Sequence, residues 1–140
     1  MNSPSTGAVS RPLLIALIVV LLVGIIFALQ RWTQPPTKPD ADVGRSVVEE
    51  FLGQVRAGQA GEAWDATTAE FKSIEGRESF IRSVAKAPVL KQQLQFASAQ
   101  EVQVNEQSRA EYIFQSPESK MVRVLVGYEG GTWKVDRLTL

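Results

Sequence analysis

The sequence predicts an α+β domain behind a single apolar anchor: three helices packed on a curved, four-stranded antiparallel sheet. Three observations carry that expectation. An uncharged run from Leu13 to Leu29 (LLIALIVVLLVGIIFAL) precedes a stretch with Pro35, Pro36 and Pro39. From Asp40 to Pro88 apolar residues recur with the helical period, and from Leu94 onward they recur with period two. Helices first and strands afterwards is the order of an α+β layer rather than of alternating βαβ units. The expected segments are a short polar tail over 1–12, an anchor over 13–32, a proline-rich linker over 33–41 and a folded domain over 42–140.

The apolar run is about 17 residues long, at the short end of the membrane-spanning range. Its side chains sum to roughly −4 to −8 kcal/mol on the insertion scale. A cleaved signal would have a shorter apolar core closed by paired small residues. Here the exit reads Phe27-Ala28-Leu29-Gln30-Arg31-Trp32, with no second small residue suitably placed after Ala28. The reading is an uncleaved, single-pass signal-anchor, with the lipid bilayer as partner through Leu13–Leu29. Trp32 suits the interfacial belt and Arg31 can snorkel to the headgroups. Two rules conflict on orientation. Arg31, Lys38 and Arg45 outnumber Arg11 and the α-amino group, which places the C side in the cytoplasm. A short N-terminal tail before an apolar run instead behaves as a signal-anchor that exports the rest of the chain, and the exported, extracytoplasmic domain is the expectation adopted.

Composition prunes the chemistry. Twelve of the 15 basic residues and all 15 acidic ones lie from Asp40 onward, a net charge of −3 for the domain. No basic patch with interleaved aromatics occurs, so nucleic acid is not an expected partner. The chain has no Cys, which excludes a thiolate nucleophile, a disulfide and a lipoprotein signal. It has no His either, which excludes a Ser-His triad and imidazole metal ligands. No metal or cofactor is expected; Glu49 and Glu50 belong to a solvated helix face.

The elements are expected in this order. The linker cannot be helical, because its prolines remove donors and restrict their neighbours; a polyproline-like path would lift the domain roughly 20–25 Å off the anchor. Val47, Val48, Phe51, Leu52 and Val55 make one apolar stripe, with Asp40 or Asp42 as cap and Gly58 as a left-handed stop. A second helix is expected from about Gly61 through Ala63, Trp64, Thr67 and Thr68 to Phe71. A third runs from about Gly76, with Phe80, Ile81 and Val84 inward, and ends before Pro88. Leu94, Phe96, Val102 and Val104 then share one parity along a long strand with a bend or bulge near Ser98-Ala99-Gln100. The turn Asn105-Glu106-Gln107-Ser108 leads to Ala110, Tyr112 and Phe114, and Ser116-Pro117-Glu118-Ser119 closes that strand. Val122, Val124, Val126 and Tyr128 alternate inward. Glu129-Gly130-Gly131-Thr132 is a hairpin of the primed type. The last strand carries Trp133 and Val135, then shifts parity to Leu138 and Leu140, which implies a bulge near Asp136-Arg137. A sheet broken in this way curls over the first helix and leaves a hollow on its concave face.

This order resembles the nuclear-transport-factor-two-like (cystatin-like α+β) superfamily, and more narrowly its bacterial, secreted or membrane-anchored members. The likeness rests on VVEEFLGQVRAGQAGEAWDATTAEFKS over 47–73, GRESFIRSV over 76–84 and EGGTWKVDRLTL over 129–140. It implies a cone-shaped fold with a pocket and, in some members, an acid–base residue on the pocket floor. The histidine of the dehydratase-like members has no counterpart here. An isomerase-like reading would need an Asp base and a Tyr oxyanion donor. Asp65, Tyr112 and Tyr128 are the candidates for those roles, with Trp64 as a pocket wall. Each has an ordinary structural reading as well: Trp64, Tyr112 and Tyr128 as core, Asp65 as a solvated or capping carboxylate. Trp133 is expected to staple the final hairpin. The reading adopted is a membrane-tethered, non-enzymatic accessory domain with a protein partner in a bacterial envelope. The alternative is a small-molecule pocket or a weak isomerase-like or hydrolase-like enzyme. The oligomeric state stays open, a dimer included.

Overall fold

The computed structural model describes residues 19–25 and 38–140, which belong to two separate units divided between Pro35 and Pro36. The polar tail, Arg31, Trp32, the linker up to residue 37 and the rest of the Leu13–Leu29 run lie outside the described residues. Within that run residues 19–25 are helical (α1), and Val19, Val20, Leu21, Leu22, Val23 and Ile25 are all exposed. Among the described residues no helix is long and apolar enough to cross a membrane.

The second unit is an α+β layer. Helices α2 (Ala41–Arg56), α3 (Ala60–Asp65), α4 (Ala69–Ile74) and α5 (Arg77–Ala85) and a 3-10 turn (Pro88–Lys91) come first. Strands β1 (Gln95–Val104), β2 (Gln107–Gln115), β3 (Met121–Glu129) and β4 (Thr132–Thr139) come next, antiparallel and in spatial order β1-β2-β3-β4. Helix α2 buries Val48, Phe51, Leu52 and Val55, as its stripe requires, each such side chain contributing about 1.5–3 kcal/mol. It ends where Gly58 takes φ +83°, the left-handed stop. Asp40 sits at the N-cap without a side-chain cap bond.

The expected second helix is two helices, so four rather than three precede the sheet. The break is local chemistry. The Thr68 hydroxyl accepts from the Phe71 N–H at 3.1 Å and caps α4, while the Thr68 N–H donates to the Val135 carbonyl at 3.0 Å. A backbone donor used by β4 is not available to a continuing helix. The same bond covers part of the outer edge of β4.

Strand register corrects a second expectation. A bulge between Phe96 and Ser98 inserts one residue into β1, and one residue flips every side chain beyond it. Phe96 stays on the helix side opposite Phe114, but Val102 pairs with Arg109 and Val104 with Gln107 on the outer face. In the last strand the expected bulge is present: Val135 pairs with Val126 and Arg137 with Leu125, leaving Asp136 as the extra residue, and Leu138 packs against the core, but Leu140, expected on the same face, lies beyond β4 and is 60% exposed. All three hairpin turns use positive φ, at Asn105 and Glu106 (+49° and +65°), at Ser119 (+61°) and at Gly130 and Gly131 (+60° and +83°). The core lies between the helices and the inner face of the sheet. Phe51, Phe71 and Phe80 form a ring cluster with centroids 5.5–6.5 Å apart, above Tyr112, Phe114, Val122, Val124 and Val126.

Candidate functional site

Alternation along the strands gives the sheet two chemically different faces, and each holds a candidate. On the inner face, the hollow expected beneath the helices is occupied by the chain's own rings: Phe51, Phe71, Phe80, Tyr112 and Phe114 are each at most 4% exposed. Tyr112 reaches under α2 at Gly44, the position where a Cβ would collide with the phenol oxygen and lie 2.5 Å from Pro39 Cγ. Burial pushes the Tyr112 phenol above its ordinary range. Gly44 thus exists because a ring passes through the space a side chain would need.

The four residues singled out from the sequence are not gathered around one hollow. Trp64 packs against the core and donates its indole N–H to the Glu75 carbonyl at 2.8 Å, with Lys72 Nζ 5.2 Å from its ring. Asp65 has a side chain 57% exposed and pairs with Arg77 at 3.5 Å. Tyr112 is buried beneath α2. Tyr128 is a correction: it shares the inward parity of Val126 but is 38% exposed. At the end of the hairpin its ring is packed edge-on against Trp133, 5.0 Å between centroids. That contact is the expected cross-strand staple.

The polar groups that do converge were not legible in the sequence. Asp136, only 2% exposed, accepts from the Thr68 hydroxyl at 2.6 Å and from the Arg109 guanidinium. Arg109 reaches Glu70 at 3.2 Å with its other terminal nitrogen. Asp136 lies against Gly127; with no side chain at 127, the guanidinium from β2 can cross β3 to reach β4. Beside this network the Glu129 carboxylate accepts from the Ala69 N–H at 2.9 Å and from Lys134 at 3.0 Å. Those two donors, the backbone amide first, hold Glu129 below the usual carboxylate range. The cluster ties the start of α4 to β2, β3 and β4. Asp136, with one oxygen on Thr68 and the other on Arg109, is committed to a structural role rather than free to take a proton from a substrate.

Among the described residues, two of the hollows that open to the surface stand out. One, of about 240 Å³, lies between α2 and the segment before β1, lined by Glu49, Leu52, Gly53, Arg56, Gln92 and Phe114 among others. The Gln92 amide donates to Glu118 at 3.2 Å, and its buried oxygen has no partner. The other, of about 190 Å³, is a groove on the outer face of the sheet. Val102 and Val104 line it from β1, Glu111 from β2, Arg123 and Leu125 from β3, and Arg137 from β4. Neither wall contains Trp64, Asp65, Tyr112 or Tyr128. Among the described residues no group of three or more acidic side chains could hold a metal ion. No family model matches this chain, and no curated protein matches it.

Proposed function

We propose that this chain is a membrane-tethered, extracytoplasmic accessory domain of a bacterial envelope, built on a nuclear-transport-factor-two-like cone, that works by binding another protein rather than by catalysis. The observation that carries the reading is the state of the inner face. The centre of the space in which such a fold would hold a small molecule is filled by Phe51, Phe71, Phe80 and Tyr112, with a hollow of about 240 Å³ left only at its margin beside Leu52 and Phe114, while the outer face carries a groove of its own. The carboxylate that an isomerase-like mechanism would need, Asp65, is exposed and paired with Arg77. The anchor is supported by composition: α1 is apolar on every side and exposed on every side, and such a helix is stable where its surroundings are apolar too.

The full chain in its own membrane tests this reading. Carbonate extraction leaves it in the pellet, and protease reaches the domain only after the outer barrier is opened. A photo-crosslinking residue at Thr139, on the outer face, or at Ser83, on α5, yields a discrete adduct with another protein from at least one position. Release by carbonate removes the anchor, cytoplasmic protease sensitivity reverses the topology, and no protein adduct from either position removes the interaction role.

A further inference from the structure

We propose that the groove on the outer face of the sheet docks an acidic–apolar segment of another protein, its carboxylates on Arg123 and Arg137 and an apolar side chain against Val102, Val104 and Leu125. This rests on the protein-binding reading above and names the chemistry of the partner.

Charge is the first argument. Arg109, on the same face, is neutralised by Asp136 and Glu70. Arg123 and Arg137 are both exposed and have no ion pair with any described residue. Arg123 faces Thr139 and Arg137 faces Leu125. The two arginines therefore stand at diagonal positions on neighbouring strands, about 7–8 Å apart, within reach of one ligand. The carboxylate of the groove is already engaged, since Glu111 accepts from the Gln100 amide at 2.6 Å. In a domain of net charge −3, the groove sets two guanidinia against the one carboxylate of Glu111, a local excess of positive charge, and planar guanidinia in such a pair match carboxylates bidentately.

Size and shape are the second argument. Small-molecule pockets run to about 300–1,000 Å³. The groove has about 190 Å³, room for one or two side chains. It draws on all four strands, a span of roughly 14 Å at the usual strand spacing. Leu125 is 4% exposed although it lies on the solvent side, flanked across the strands by Glu111 and Arg137, whose stems shelter it. An apolar strip with cations along one margin fits a peptide in which carboxylates flank an apolar side chain. A second copy fits less well, because a two-fold face-to-face contact opposes four arginines with two glutamates. Anionic lipid supplies the charge but nothing for the valines, and the net charge of the domain opposes its approach.

The test uses the full chain in nanodiscs of phosphatidylcholine and a fluorescein-labelled, acetylated Asp-Glu-Leu-Leu-Asp-Glu amide, read by anisotropy at about 0.05 M salt. Saturable binding is expected, weakened about ten-fold or more by Arg123→Gln with Arg137→Gln, and equally by replacing the peptide's acids with Asn and Gln. Arg82→Gln on α5 with Lys86→Gln at its C-cap leaves it within about two-fold. Unchanged thermal midpoints show that both double variants fold. Absence of saturable binding up to about 1 mM peptide, or equal loss in both double variants, overturns the proposal. Stronger arginine-dependent binding to phosphatidylglycerol vesicles overturns it in favour of lipid. A dimer broken by Val102→Asp overturns it in favour of a second copy. In each of these cases a protein adduct from Thr139 or Ser83 in the membrane still leaves the broader reading standing, so the two failures are distinguishable.

Discussion

The two faces of one sheet solve opposite problems with the same four strands. Toward the helices, Tyr112, Phe114, Val122, Val124, Val126 and Val135 are nearly all sealed from water, and their neighbours are rings rather than charges. Toward solvent, the intervening positions carry Arg109, Glu111, Arg123, Lys134, Asp136 and Arg137. Half of that outer face is closed by its own ion pairs around Asp136, and the other half leaves Arg123 and Arg137 open. The difference separates stability from recognition. Apolar burial is non-directional and scales with area, so the inner face holds the fold without presenting chemistry. Charges at a surface cost little to keep and contribute little to folding, so unneutralised ones are available to a partner.

That contrast can be broken at several points. Phe51→Ala removes the ring shared by Phe71 and Phe80 and is expected to cost about 3–5 kcal/mol, against about 0.5 kcal/mol or less for the neighbouring Glu50→Ala. Denaturant unfolding measures both, and equal losses would mean that the inner face does not carry the stability. Asp136→Ala leaves Thr68 without its acceptor and Arg109 with Glu70 alone and is expected to cost about 2–4 kcal/mol; adding Arg109→Met should recover part of it, because the half-buried, under-compensated charge goes too. No recovery would show that Asp136 acts through something other than this network. Gly44 and Gly53 lie on the same helix but meet different surroundings. Gly44→Ala strikes Tyr112 and Pro39 and should destabilise by about 1–3 kcal/mol, whereas Gly53→Ala meets open space and should stabilise by about 0.5–1 kcal/mol.

The smallest effect concerns acid. Glu129 is held below the ordinary carboxylate value of 4.5 by the Ala69 amide and Lys134. A group depressed in the folded state contributes stability that is present above its unfolded value and is lost as pH falls through its folded one. The thermal midpoint of Glu129→Gln should therefore lie below that of the parent chain at neutral pH, and the gap should close as the solution is acidified below about pH 4. A gap independent of pH would detach Glu129 from the α4–β4 junction.

Much of the fold was legible because its signals are local. The stripe on α2, the stop at Gly58, the paired glycines at 130 and 131 and the parity shift around Asp136 each depend on a few adjacent residues. The break at Thr67-Thr68 was not legible, since the donor that ends the helix is spent on Val135, a residue of the last strand. Nor was the flip of Val102 and Val104: a bend or bulge was expected a few residues later, and a bulge displaced from its expected place reverses every assignment beyond it. Tyr128 carried the right parity but stands at the hairpin end, where parity says nothing about cover.

The candidate sites divide along the same line. The missing Cys and His were settled by composition, and with them the exclusion of thiol and imidazole chemistry from this chain's own side chains. The Thr68–Asp136–Arg109–Glu70 network joins residues separated by 27 to 68 positions, and no local pattern marks any of them. Which arginines are neutralised and which are open depends on strand register and on a glycine that lets one side chain cross a neighbouring strand. Periodicity, turn chemistry and apolar runs are properties of neighbouring residues, so the sequence alone determined most of the elements, their order and the apolar composition of the Leu13–Leu29 run. Burial, charge pairing and the filling of the inner face are properties of residues brought together from afar, and only the tertiary structure decided them.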